Sequence, residues 1–198
     1  MPDKRFRIAV LISGGGTTLK NLFEKIDSGE LDVDVELVIS SSRNAKGLDF
    51  ARERDVKTLV VPKLAGHDDD QYTSEIFSPI ADAEIDLVVM GGFLKKVLIP
   101  ADYENRVINI HPSLIPAFCG QGMYGMHVHE AVVQKGCRVT GCTIHFVDNE
   151  YDHGPIIEQV PIRVEPADTA ADVQRKVFEQ ECEVYPRVIQ QLAKASLS

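Results

Sequence analysis

The stretch from Arg7 to Thr18 constrains this chain more than any other. Arg7 to Ile12 reads as a buried strand and Ser13-Gly14-Gly15-Gly16-Thr17-Thr18 as a turn, after which Leu19, Leu22, Phe23 and Ile26 recur at helical spacing and predict a helix over Leu19 to Ile26. A strand running through a glycine-rich turn into a helix is the repeating unit of open α/β sheets, whose strands pair in parallel through right-handed crossovers. Gly14, Gly15 and Gly16 let the backbone approach a ligand closely, with free amides and a helix N-terminus behind them, a geometry suited to phosphate. Thr17 and Thr18 add hydroxyl donors. A bulky side chain at Gly16 is expected to crowd such a ligand without unfolding the protein. The competing reading is a tight turn with no ligand. A dinucleotide fingerprint also competes: Gly14-x-Gly16-x-x-Leu19 puts Leu at the third glycine and lacks the acid after strand two, although Ser40-Ser41-Ser42-Arg43 could hold the extra phosphate of NADP.

The same alternation continues. Strands are predicted at Val33 to Ile39, Thr58 to Val61, Leu87 to Met90 and Arg106 to Ile110, with helices at Gly47 to Arg54 and from His67-Asp68-Asp69-Asp70 to about Ala81. After a short helix from His127 to Gln134, Val139 to Val147 and Ile156 to Val164 read as two long strands. Asp168-Thr169 then caps a last helix with Val173, Val177, Val184, Val188 and Leu192 as its buried stripe. No linker interrupts the chain. The expectation is one α/β domain over residues 1–198, a Rossmann-like open sheet of about seven strands, mostly parallel, with helices on both faces.

Val107, Asn109 and His111 alternate onto one face of the fifth strand, so Asn109 and His111 can point at the same spot. An amide can donate to an oxygen gaining negative charge and an imidazole can pass protons near neutral pH, a pairing suited to carbonyl chemistry. Pro112 and its restriction on His111 fix the imidazole where the strand ends. A histidine capping a strand and an asparagine satisfied in a turn is the plainer alternative. Asp148 to Pro155 reads either as an acidic turn or, because Asp152 precedes His153-Gly154-Pro155, as a constrained segment presenting a carboxylate. Leu94, Val97, Leu98 and Ile99 are ordinary core residues or the lining of a pocket beside Gly92.

Composition narrows the partners. A formal net charge of −9 with no Lys/Arg cluster argues against nucleic acid. Cys119, Cys137, Cys142 and Cys182 form no CxxC pair, and no stretch approaches ~18 consecutive apolar residues, so a soluble, cytoplasmic protein without a membrane span is expected. Met1-Pro2-Asp3-Lys4-Arg5 leads into an apolar run no longer than a strand. His127, His129, His145, His153, Cys142 and Asp152 show no recognised ligand spacing, so no metal is expected.

Taken in order, Ser13-Gly-Gly-Gly-Thr-Thr-Leu19, Gly92-Phe-Leu94, Asn109-Ile-His-Pro-Ser-Leu-Ile-Pro116, Gly122-Met-Tyr-Gly-Met-His-Val-His129, His145-Phe-Val147 and Asp152-His-Gly-Pro155 resemble the phosphoribosylglycinamide formyltransferase family over residue 7 to about 190. The resemblance implies transfer of a formyl group from 10-formyltetrahydrofolate, as co-substrate, to the amine of glycinamide ribonucleotide in purine synthesis. It implies Asn109, His111 and Asp152 as catalytic residues with His145 in support. It further implies Ser13, Gly14, Gly15, Gly16, Thr17 and Thr18 on the phosphate and Glu181 on the ribose. Phe93, Leu94, Lys95, Lys96 and Val97, with Asp148, Asn149, Glu150 and Tyr151, would wall a folate pocket. Asp152 is expected to raise the pKa of His111, so that a protonated imidazole joins Asn109 at the oxyanion. Partners are then small molecules, and the protein a monomer or homodimer. Departures from the family pattern are Gly15 and Thr18, where Asn is common, Asp68 to Asp70, where a base often aids phosphate binding, and one extra residue within Phe93 to Pro100. An NADP-dependent oxidoreductase and a non-catalytic folate-binding module are the alternatives.

Overall fold

A computed structural model describes residues 5–196, so the Met1 to Lys4 part of the N-terminal reading lies outside the described residues. Seven strands form one sheet: β1 (Arg7–Ile12), β2 (Asp34–Ser40), β3 (Lys57–Val60), β4 (Leu87–Met90), β5 (Val107–His111), β6 (Val139–Phe146) and β7 (Ile156–Arg163). Their spatial order is β3-β2-β1-β4-β5-β6-β7. The first five pair in parallel, and β6 and β7 add to one side as antiparallel strands.

Period-two alternation in β1 sends its residues into two cores. Ile8, Val10 and Ile12 pack with α1 (Thr17–Asp27), α2 (Gly47–Arg52), α4 (Met126–Lys135) and α5 (Ala170–Ser196). Ala9 and Leu11 face the opposite layer with α3 (Asp69–Asp82), where Tyr72, Ile76 and Ile80 are fully buried. Helices therefore cover both faces, as the sequence predicts. Tyr185 of α5 donates its hydroxyl to the carbonyls of Met90 and Ile108, at 3.1 Å each, binding that helix to the ends of β4 and β5.

Helix starts follow local chemistry. Asp68 accepts from the Gln71 amide at 2.6 Å as the N-cap of α3, with Asp69 and Asp70 in the first turn where the helix dipole favours them. Thr169 and Asp172 cap α5 reciprocally: each backbone amide donates to the other's side chain, at 3.0 and 3.2 Å. One of the shifted boundaries bears on the site. Gly16 takes the left-handed conformation (φ 71°) as N-cap of α1, so Thr17 and Thr18 belong to the first helical turn, with their amides at the positive end of the dipole. No helix of the described residues is long and apolar enough to cross a membrane.

Candidate active site

The carboxyl ends of β1, β4 and β5 open onto a cleft of about 360 Å³, the edge at which open α/β sheets take ligands. Thr17 and Thr18 line it, as do Phe93 to Val97 and Asp148 to Tyr151. Asn109, His111, His145 and Asp152 line the same cleft, and α5 contributes Glu181.

Asn109 and His145 are directly opposed across the β5 and β6 ladder, so their side chains share a face. The Nδ1 of His145 is 2.8 Å from the Phe146 carbonyl, which can accept only, so Nδ1 carries a proton. In the neutral ring Nε2 is then an acceptor, and it lies 3.3 Å from the Asn109 amide nitrogen. That bond fixes the amide orientation and leaves its second N–H free for a ligand. His145 Nε2 is also 3.7 Å from Asp152 Oδ1, beyond hydrogen-bond reach.

The same reasoning fixes His111. Its Nε2 donates to the Phe118 carbonyl at 2.8 Å, and its Nδ1 faces Asp152 Oδ2 at 3.5 Å. The ring is 3% exposed. Burial pulls its pKa below the ordinary histidine value, and this outweighs the upward effects of Asp152 and of the Phe118 bond. This runs against the expectation of a protonated His111: Asp152 acts in the expected direction, but desolvation outweighs it and favours the neutral ring. Its Nδ1 lone pair is a proton acceptor.

Burial alone would raise Asp152, but the neighbouring His145 and His111 rings and the Gly120 amide, which donates to Oδ2 at 2.8 Å, together hold it below the usual carboxylate range. Asp152 and Phe118, the two residues that flank His111, both have φ 51°. Left-handed backbone at non-glycine residues costs on the order of 1–3 kcal/mol and persists where the surroundings over-determine it. Next to Asp152, a Cβ on Gly154 would meet the Phe146 carbonyl oxygen at 2.0 Å, so this turn has to be glycine.

Within the Asp148 to Pro155 segment the structure shows a hydrogen-bonded turn. Asp148 accepts from the Glu150 amide at 2.8 Å and from His153 Nδ1 at 2.7 Å, and Asn149 accepts from the Ile99 amide at 2.7 Å. The turn is thus tied to the opposite wall. Glu181 keeps intermediate surface exposure, yet enough protein surrounds the carboxyl that burial pushes its pKa up to about 8.

At the glycine turn, Gly14 and Gly15 have open space around them, whereas a Cβ on Gly16 would lie 2.3 Å from the Gly47 Cα. Enlarging Gly16 therefore strains the fold itself, contrary to expectation. The Ser13 hydroxyl is engaged: it accepts from the Leu94 amide at 2.8 Å and lies 2.7 Å from Ser41 Oγ. What Ser13 keeps for a phosphate is its backbone. Ser40 and Ser41 are buried, and Ser40 bonds within its own turn, so two of the three hydroxyls invoked for an NADP phosphate point inward. Asp69 is paired with Lys63 at 2.6 Å.

His129, read from sequence as part of a first helical turn, is buried and lines the cleft, with its pKa lowered by burial and then by His111. The loop from Gly120 to Gly125 also lines it, with Tyr124 49% exposed at the rim. The quoted motif from Gly122 to His129 was the available signal for both. Among the described residues, no group of three or more His, Cys, Asp or Glu is arranged to hold a metal ion.

Comparison with known proteins adds four findings. A profile of the formyl transferase family matches residues 6–189. The phosphoribosylglycinamide formyltransferase of Escherichia coli strain K12 is 33% identical over 96% of this chain and 88% of its own length. The chloroplastic enzyme of that name from Arabidopsis thaliana is 36% identical over 94% of this chain, which spans 65% of the plant protein. The crystal structure of glycinamide ribonucleotide transformylase 1 from Symbiobacterium toebii superposes with a TM-score of 0.88 at 34% identity, covering 96% of this chain and 89% of that one.

Proposed function

The chain belongs to the formyl transferase family, and from that premise we propose that it transfers a formyl group from 10-formyltetrahydrofolate to the primary amine of glycinamide ribonucleotide. The observation that carries this reading is the meeting of Asn109, His111 and Asp152 in one cleft that is also lined by the first turn of α1, suited to phosphate, and by Phe93 to Val97, suited to a flat heterocycle. Gly14 to Thr18 would hold the phosphate with Ser13 behind them, and Glu181 the ribose. Phe93 to Val97 and Asp148 to Tyr151 would enclose the folate.

The amine nitrogen attacks the formyl carbon, and the carbonyl oxygen takes up negative charge. The free N–H of Asn109 is the donor for that oxygen, a kind of contact whose loss typically costs ~10²- to 10³-fold in rate. The attacking amine must lose a proton, and neutral His111 can take it at Nδ1, directly or through water. The imidazolium so formed faces Asp152 at 3.5 Å, which offsets its charge while it stabilises the oxyanion. Its proton then passes to the departing folate nitrogen as the carbon–nitrogen bond breaks. The imidazole and carboxylate end as they began, and no covalent enzyme intermediate is needed.

In this reading residues 1–198 work as a single formyltransferase domain, monomeric or homodimeric, on small molecules in the cytoplasm; the net charge of −9 fits poorly with nucleic acid. The test is turnover of 10-formyl-5,8-dideazafolate, a folate analogue, with glycinamide ribonucleotide. Deformylation that requires both compounds is expected, and deformylation indifferent to the ribonucleotide would count against it.

A further inference from the structure

Ser13 ends β1 and opens the glycine turn, yet its hydroxyl reaches across the cleft edge to the Leu94 amide at 2.8 Å and to Ser41 Oγ at 2.7 Å. The Phe93 to Val97 wall and the residues after it have three other side-chain tethers. Lys63 donates to the Lys96 carbonyl at 3.0 Å, Thr73 accepts from the Leu98 amide at 3.0 Å, and Asn149 accepts from the Ile99 amide. Those three come from the segment after β3, from α3 and from the turn after β6. Ser13 brings a fourth, from the phosphate side.

Resting on the formyl-transfer reading, we propose that Ser13 is a positioning residue that couples the two half-sites: phosphate engaged at the glycine turn secures the Ser13 hydroxyl, which secures the wall that receives the folate. Nothing in this role requires Ser13 to touch either substrate through its side chain. Leu94 itself is 55% exposed, so its backbone amide is among the few fixed points that decide where this part of the wall stands. The two oxygens at 2.7 Å orient one another, and the turn that carries Ser13 is the turn whose amides a phosphate would order. Ligand order at one end therefore raises the fraction of time the Ser13 to Leu94 bond is made at the other. By linkage the effect is reciprocal. A coupling carried by one hydrogen bond corresponds to about 2- to 10-fold in affinity.

The experiment is calorimetric titration of 10-formyl-5,8-dideazafolate into the full chain, without and with saturating glycinamide ribonucleotide, for wild type, Ser13→Ala and Ser13→Thr, with thermal melts to establish folding. In wild type the ribonucleotide is expected to tighten analogue binding about 2- to 10-fold. In Ser13→Ala that factor falls to about one, and Ser13→Thr, which retains the acceptor, restores it. A merely structural serine would weaken both ligands without changing their mutual effect. The proposal is overturned if Ser13→Ala keeps the wild-type factor, if wild type shows none, or if Ser13→Thr behaves as Ser13→Ala does. Should Ser13→Ala fail to fold, Ser41→Ala is the second probe, expected to reduce the factor, and an unreduced factor there overturns the proposal. Absence of any ribonucleotide or folate binding by wild type is a separate result: it removes the formyl-transfer reading, whereas loss of coupling alone leaves that reading intact.

Discussion

Replacing His145 with Phe deletes the acceptor that orients Asn109 while keeping most of the ring volume. His145 is 1% exposed, and its hydrogen bond toward the proposed chemistry is the 3.3 Å contact to the Asn109 amide. Two magnitudes follow. Removing the amide, as in Asn109→Ala, is expected to lower kcat by ~10²- to 10³-fold, about 2.7–4 kcal/mol of transition-state stabilisation. Releasing it from His145 forfeits one net hydrogen bond of about 0.5–1.5 kcal/mol, hence about 2- to 10-fold in kcat. Neither variant should much alter KM, since the amide acts on charge that develops in the transition state. In the double variant the loss should equal that of Asn109→Ala alone, because without the amide His145 has nothing to orient. Steady-state deformylation of the dideazafolate analogue measures all four corners of the cycle, with thermal melts as the check on folding. Additive losses, or an unchanged kcat in His145→Phe, would refute this role for His145.

Three further outcomes are expected. Asp152→Asn removes the charge that lifts His111, so the ring should titrate lower still and the acid limb of kcat/KM should move to lower pH on a reduced plateau; an unchanged imidazole titration by NMR together with full activity would reduce Asp152 to a turn residue. Gly15→Val, in open space, should raise KM for the ribonucleotide at constant thermal midpoint, whereas Gly16→Val, at φ 71° and against Gly47, should destabilise the fold by at least ~1–3 kcal/mol; equal melting of both would contradict the packing described. Glu181 has its pKa raised from 4.5 to about 8, so between those values the unfolded chain releases a proton that the folded chain keeps, and stability declines as pH rises. Glu181→Gln should abolish that decline, gaining on the order of a few kcal/mol at pH 8 relative to pH 5 in urea melts, and parallel pH dependence in both proteins would show that the carboxyl is not desolvated.

The scaffold was legible because its signals are local. Ile8, Val10 and Ile12 against Ala9 and Leu11 announce a strand buried on both sides, and Asp68 and Thr169 mark helix starts by chemistry contained within four residues. Asn109 and His111 were legible as a pair for the same reason, since strand alternation alone puts them together. What escaped depends on distant partners. The Ser13 hydroxyl is committed to an amide 81 positions away, a contact that no spacing rule contains. The state of His111 turns on how deeply the ring is buried and on a carbonyl at Phe118 that points at it because that residue is left-handed, so the sequence disclosed the sign of the Asp152 effect but not its defeat by desolvation. His129 looked like any residue in a first helical turn until α4 was packed over the cleft. Asp69 looked like a loss of positive charge near phosphate, and its partner Lys63, six residues earlier, gives it a different task.

The central claim is that the cleft carries a formyl group from one bound molecule to the amine of another. Its most direct test follows an isotopically labelled formyl carbon on the folate through a single turnover with glycinamide ribonucleotide, reading the products by mass spectrometry. The account predicts the label on the primary amine of the ribonucleotide, with transfer nearly abolished in His111→Ala although both ligands still bind. Label released as formate in the presence of ribonucleotide, or transfer undiminished in His111→Ala, would contradict it.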